Sequence, residues 1–157
     1  MHAGAVYGFL FRLSGDRACA DELTNETFLR AMISLDGFRG EASVKTWLLR
    51  IARNLYLNRV KKEKRETSLD ALVEQGVPFP ENQPGPEEHA LTRERSDALQ
   101  QGLLALSEAD RSILLLSSQE KLSHQEIGQI LGITVAAVKV RIFRARQRLS
   151  EAISYKL

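Results

Sequence analysis

A single cysteine, Cys19, stands in a chain of 157 residues. That excludes an internal disulfide framework and a thiolate-based metal site, and it suits a reducing compartment. Cys19 itself sits in a helical context and reads as a small packing residue. Aromatic residues make up only 6% of the chain, which argues against a sheet-rich fold. No apolar run approaches the roughly 20 residues needed to cross a bilayer. The start lacks the charged segment and long apolar core of a secretory signal, so a cytoplasmic protein with no direct membrane insertion is expected. There are four prolines, all within residues 78–86. Proline breaks helix interiors, so its absence elsewhere leaves two long stretches free to be helical.

Charge is unevenly placed. Residues 1–66 carry 12 Lys and Arg against 8 Asp and Glu, residues 67–97 carry 2 against 7, and residues 98–157 carry 8 against 5. Two basic blocks flank an acidic connector, as expected of polyanion-binding ends or, more plainly, of solvated helix faces.

Apolar spacing predicts helices throughout. Val6, Leu10 and Leu13 mark one over 3–13. Phe28, Ala31, Met32 and Leu35 give a buried face to a second, over 19–35. Val44, Trp47, Leu48, Ile51 and Leu55 do so for a third, which starts at Ser43 or Glu41 and runs to about 62. Residues 67–88 hold the prolines, Gly76 and Gly85, and read as an extended acidic linker that reaches about 70 Å at most, with room for a short helical turn around Leu69–Leu72. Helices resume near 88. Ser107 and Ser123 are placed as N-caps, the latter with Glu126 three residues on in a capping box. The fold class that follows is all-α, with two small helical domains joined by a flexible linker. The boundaries are 1–66, 67–88 and 89–157.

The C-terminal stretch carries the most specific pattern. A short amphipathic helix presents Ile127, Ile130 and Leu131. Gly132 supplies a left-handed turn, Ile133 plugs the angle, and Thr134 caps a second helix. This is a helix-turn-helix. A helix entering a major groove needs small residues near its start, here Ala136 and Ala137, and cations beyond them. Lys139, Arg141, Arg144 and Arg148 are the candidates, with the last two expected mainly on phosphates.

The N-terminal half suggests strand capture. Unstacking bases costs a few kcal/mol, which a pocket for exposed bases and cations on the backbone can offset. The loop from Phe38 to Ser43 can form that pocket. Arg39 and Lys45 can reach phosphates, and Arg53, Asn54 and Arg59 lie along the next helix. Trp47 lies on the apolar stripe and reads first as core, second as a stacking platform. Asp21, Glu22 and Glu26 sit in the first turns of a helix, where the dipole favours carboxylates without any metal. His2, His89 and His124 are isolated. With no phosphate-binding glycine loop, metal spacing or nucleophile–base arrangement, the chain reads as a non-enzyme without cofactor or metal.

Several of these segments resemble one family. Glu126-Ile127-Gly128, Leu131-Gly132-Ile133, Val138-Lys139-Val140-Arg141 and Arg144-Ala145-Arg146, with Leu106-Ser107-Glu108-Ala109-Asp110-Arg111 before them, look like the promoter-reading module of sigma-seventy factors. Asp21-Glu22-Leu23-Thr24-Asn25-Glu26-Thr27-Phe28 resembles the family's polymerase-binding helix, and Phe38-Arg39-Gly40-Glu41 through Arg53-Asn54 its promoter-melting segment. Their order suits the short extracytoplasmic-function group. Members usually begin some way before the stretch here starting at Ala5-Val6-Tyr7, so a shortened first helix is expected. The resemblance implies binding of core RNA polymerase by Asp21, Glu22, Glu26, Thr27 and Phe28. It implies reading of the minus-ten region by Phe38, Arg39, Lys45, Trp47, Arg53, Asn54 and Arg59. It implies reading of the minus-thirty-five element by Thr134, Ala136, Ala137, Lys139, Arg141, Arg144 and Arg148, and an anti-sigma factor as a further partner. The alternatives are a helix-turn-helix regulator that never engages polymerase and a decoy that only binds an anti-sigma protein.

Overall fold

Val6, Phe9, Leu10 and Leu13 recur at helical spacing and are fully buried on one face of α1, Ala3–Ser14. The computed structural model describes residues 2–38, 40, 43–70 and 90–154. The extended linker was expected from 67; residues 67–70 are helical, and its remainder, 71–88, lies outside the described residues, as does 89. Gly15 ends α1 in a left-handed conformation, its N–H returning to the Phe11 carbonyl at 2.7 Å. Asp16 caps α2, Arg17–Ile33, by accepting from the Ala18 N–H at 2.9 Å. A 3-10 turn over Leu35–Gly37 follows. Ser43 accepts from the Thr46 N–H at 3.1 Å and starts α3, Val44–Asp70.

These three helices pack on one another as a bundle. Two expected faces are rotated. The buried stripe of α2 is Ala20, Leu23, Thr27 and Ala31, whereas Met32 is 74% exposed and Leu35 61%. Thr27 can enter the core because its hydroxyl donates to the Leu23 carbonyl at 2.6 Å, so its polar atom is satisfied. That places the buried stripe away from Met32. On α3 the stripe is Leu48, Leu49, Ala52, Leu55 and Tyr56, while Val44 is exposed at the helix start, ahead of the packed turns. The helix also runs past 62. Arg59 and Glu63 pair at 3.3 Å one turn apart, helical support across the expected end.

The C-terminal half contains α4, Ala90–Ala105, and α5, Glu108–Leu114, which continues as a π-helical turn over Leu115–Gln119. Then come α6, His124–Leu131, and α7, Val135–Ser154. Lys121, two residues after the π turn, is left-handed at φ 53°. Helix α7 packs on α4, α5 and α6. The helix-turn-helix is built as its sequence suggests. Ser123 and Glu126 form a reciprocal capping box, and Gly132 adopts φ +72°. Gly132 and Ile133 both donate to the Gly128 carbonyl, at 2.8 and 3.1 Å. Thr134 accepts from the Ala137 N–H at 3.1 Å.

The halves share one continuous core: α1 packs on α4, α5 and the π turn, and α3 packs on α6. Arg111 lies at this junction, 8% exposed. Its guanidinium donates to the Leu103 carbonyl at 3.0 Å, the Leu106 carbonyl at 3.1 Å, the Tyr56 hydroxyl at 3.2 Å and the Leu13 carbonyl. Leu13 and Leu103 lie in the last turns of α1 and α4, where helix dipoles favour a cation.

Gly128 permits the tight turn between α6 and α7. A Cβ there would lie 2.7 Å from the Ile133 carbonyl oxygen, whereas one at Gly4 would meet nothing within 4 Å. Gly128→Ala is expected to cost about 1–3 kcal/mol through forced backbone movement, and Gly4→Ala to be neutral or stabilising. Thermal denaturation of the two variants checks this. Equal midpoints would show that the turn is not tight.

Candidate polymerase and nucleic-acid interfaces

Three surfaces collect the residues singled out by sequence. The first is the outer face of α2. Asp21 and Glu22 are exposed and Glu26 is half-buried, Glu22 pairing with Arg59 at 2.7 Å and Glu26 with Arg30 at 3.4 Å. The Glu22 hydrogen bond raises the Arg59 pKa above its ordinary value and so favours the charged guanidinium. Thr27 is buried and offers a partner no surface, a correction that follows from its bond to Leu23; Phe28 is half-buried. Missed by the sequence reading is an apolar continuation of this face. Glu22, Glu26, Leu29 and Ile33 recur at steps of four, three and four, and Leu29, Met32 and Ile33 are all exposed. The exposed face could have been found by placing Leu23 and Thr27 in the core.

The second surface is the start of α3. Phe38 and Trp47 are each half-buried and their rings meet at 4.7 Å between centroids, tilted by 35°. Trp47 thus packs on the loop residue as well as on the core. Arg39 lies outside the described residues. Asn54 is exposed, in line with exposed Arg50 one turn earlier, a cation the sequence reading passed over. Arg59 is turned toward Glu22 and Glu63 on the α2 side.

Lys45 and Arg53 face the C-terminal half. Lys45 Nζ lies 3.1 Å from Glu120 Oε2 and donates to the Glu120 carbonyl at 3.1 Å. Arg53 grips Glu108 with both Nε and Nη2, at 3.1 and 3.2 Å, and its Nε also donates to the Ser112 hydroxyl at 3.2 Å. Between them, the Thr46 hydroxyl donates to Glu126 Oε2 at 2.7 Å.

The third surface is α7. Val138, Ile142 and Ala145 are buried, while Thr134, Ala136, Lys139, Arg141, Arg144 and Arg148 are exposed and Ala137 is half-buried. Val135 is exposed at the helix start, before the packed turns. Arg148 is not free: it pairs with the largely buried Asp110 at 2.7 Å and fastens α7 to α5. Sequence reasoning also missed Val140 and Phe143, apolar side chains exposed among the cations. Their signal was position alone: Val140 lies four residues from both Ala136 and Arg144, and Phe143 lies three after Val140, on the outer face.

Other chemistry is scarce. Burial pushes the Cys19 thiol above its ordinary pKa, against a nucleophilic role. Among the described residues no three or more His, Cys, Asp or Glu side chains gather as a metal site, and no helix is long and apolar enough to cross a membrane.

The Glu126 carboxyl is held below the ordinary carboxylate range, first by the Thr46 hydroxyl and then by the Ser123 N–H. A depressed pKa contributes stability that is present above the unfolded value, about 4.3, and lost as pH falls through the folded one. The midpoint difference between wild type and Glu126→Gln should therefore be largest near neutral pH and shrink below about pH 4.3. A difference independent of pH would detach Glu126 from this titration.

Two family models match the chain, Sigma-70 region 2 over residues 1–66 and Sigma-70 region 4 over residues 96–149. The chain is 34% identical to the ECF RNA polymerase sigma factor SigW of Bacillus subtilis (strain 168), over 94% of this chain and 82% of that protein. It is 35% identical to the ECF RNA polymerase sigma factor SigE of Mycolicibacterium smegmatis, over 98% of this chain but 59% of that longer protein. Among solved structures it is similar to the sigma factor RpoE of Bartonella quintana, crystallised with the anti-sigma factor NepR. That match has 26% identity and a TM-score of 0.77, over 98% of this chain and 92% of the other. The buried helix-turn-helix, the α2 face and the segment after it thus fall in the matched regions in the family's order, and the chain belongs to the extracytoplasmic-function group of sigma-70 RNA polymerase sigma factors.

Proposed function

We propose that this chain divides promoter-directed initiation among its three surfaces. The outer face of α2 takes core RNA polymerase, with Asp21, Glu22 and Glu26 meeting a basic surface and Leu29, Met32 and Ile33 supplying apolar contact area. The start of α3 and the preceding loop take the minus-ten region, with Phe38 and Trp47 as aromatic walls and Lys45, Arg50, Arg53 and Asn54 along the strand; Arg39 belongs to the same segment by sequence. Arg59, turned toward Glu22, supports the polymerase face more than the strand. Helix α7 reads the minus-thirty-five element. Lys139 and Arg141 reach base edges, Arg144 holds phosphate, and Val140 and Phe143 provide the apolar contacts that suit thymine methyl groups. Arg148 contributes chiefly by fastening the helix to Asp110.

The polymerase, promoter DNA and an anti-sigma factor are its partners, and the cytoplasm its compartment. The chain acts as an initiation factor, with bond formation left to polymerase. Its DNA-binding parts correspond to 1–66 and 89–157, the first extended by the end of α3. The observation that carries this reading is one chain bearing both an exposed acidic-to-apolar line on α2 and a cationic helix-turn-helix. A regulator that never touches polymerase needs only the second.

Run-off transcription with core polymerase and a genomic promoter library tests it. Wild type should initiate at a defined promoter set. Glu22→Lys with Glu26→Lys should abolish initiation by opposing the polymerase surface. Arg141→Ala should still bind polymerase yet lose about 1–3 kcal/mol of discrimination at the minus-thirty-five element. Transcription unchanged by the double reversal would show these acids to be ordinary helix-start residues.

A further inference from the structure

Two helix faces of this chain share one spacing and carry opposite charge. On α2 the line is Glu22, Glu26, Leu29 and Ile33, at steps of four, three and four, with Asp21 and Met32 at its margins. On α7 it is Ala136, Val140, Phe143 and Gln147, at the same steps and all exposed, with Lys139, Arg144 and Arg146 beside it. Such steps keep residues on one stripe of a helix and let two helices pack side by side. Along the chain direction α2 runs from acidic to apolar, whereas α7 runs from apolar to cationic. Laid antiparallel, apolar half meets apolar half and acids meet cations. Ile33 comes opposite Ala136, Leu29 opposite Val140, Glu26 opposite Phe143 and Glu22 opposite Gln147. Arg144 then lies beside Glu26, and Arg146 beside Asp21 and Glu22. Glu22 and Glu26 already hold Arg59 and Arg30, but at 65% and 44% side-chain exposure their carboxylates have room for a second cation. Leu29, Ile33, Val140 and Phe143 are all exposed within one chain, so the α7 that this face of α2 fits is that of another copy.

We infer that the chain associates with itself, the α2 face of one copy docking antiparallel on the α7 face of a second copy. The contact spans about 16 Å of each helix. That is short of what permanent interfaces bury, so association is weak and grows with concentration. It joins unlike surfaces, so it closes into a pair only where each copy contributes both faces, and otherwise grows as open chains. The contact covers the faces assigned above to polymerase and to the minus-thirty-five element, so protein in excess of polymerase is held in a form that offers fewer of either. That consequence rests on the proposed function; the contact itself does not.

Sedimentation equilibrium of the full chain, without polymerase or DNA, tests the contact, and its failure leaves the proposed function standing. The average mass of wild type should rise above that of one chain between about 5 and 500 µM. Exchange of charge then assigns the faces. Glu22→Arg with Glu26→Arg makes a variant whose facing ends are both cationic, and Arg144→Glu with Arg146→Glu one whose facing ends are both acidic. Each alone should keep the mass of one chain. An equimolar mixture should associate again, because every acidic end then has a cationic one to meet. Leu29→Gln and Val140→Gln, single changes at exposed positions, should each weaken association about tenfold. Leu99→Gln, exposed on α4 outside both faces, should leave it unchanged. These single variants decide the matter if a charge variant does not fold. Wild type that keeps the mass of one chain over the whole range overturns the inference and leaves α2 and α7 to polymerase and DNA alone. A mixture of folded variants that does not associate overturns it too, as does a loss at Leu99→Gln equal to that at Leu29→Gln.

Discussion

Among the described residues, the buried guanidinium of Arg111 is met by carbonyls and a hydroxyl rather than by a carboxylate, and it ties the two halves of this structure together. Arg111 cannot shed its proton, so its desolvation has to be balanced by acceptors brought to it. Those acceptors are carbonyls in the last turn of α1 and at the end of α4, together with the Tyr56 hydroxyl of α3. The same elements also meet through the shared apolar core, and Arg111 fixes their polar ends in one place. A buried acceptor left unpaired costs about 1–3 kcal/mol, so the junction is satisfied as a set. The reciprocal bonds between Arg12 and Gln100, at 3.2 Å each way, extend it toward solvent.

From that junction the remaining contacts follow in order along α3. With Tyr56 tied to Arg111, the helix presents Arg53 one turn earlier to Glu108 and Ser112 on α5, the helix that carries Arg111 itself. Two turns further back, Thr46 and Lys45 meet α6 and the π turn. The outer face of α2 and the outer face of α7 are left exposed by the same arrangement. A single packing mode therefore leaves the outer faces of α2 and α7 open and covers Thr46 and much of Lys45 and Arg53 on α3.

Much of this was legible from spacing. The α1 stripe, the caps at Ser107, Ser123 and Thr134, and the Gly132 turn are local, and the structure has them where their residue types put them. The rotated face of α2 was not legible, because hydrophobicity favoured Met32 and Leu35 over Thr27, whose hydroxyl is neutralised by its own helix. The joining of the halves was hidden for a related reason. Its polar part is made by Arg53, Thr46, Lys45, Arg111 and three glutamates, residues that periodicity assigns to solvent. A trace existed at Arg111, which sits three and four residues before Leu114 and Leu115 and thus on the apolar side of α5. The candidate DNA contacts fared similarly: positions on α7 followed from the helix-turn-helix, whereas the engagement of Arg148 by Asp110 needed the tertiary structure.

Differential scanning calorimetry of Arg111→Met, with wild type alongside, tests the keystone role of this residue most directly. Methionine keeps much of the side-chain volume and removes every donor, so the carbonyls of Leu13, Leu103 and Leu106 lose their shared partner. Wild type should unfold in one cooperative transition, and the variant in two, at lower temperature, as its halves uncouple. A variant that unfolds in a single transition at the wild-type midpoint would contradict the account.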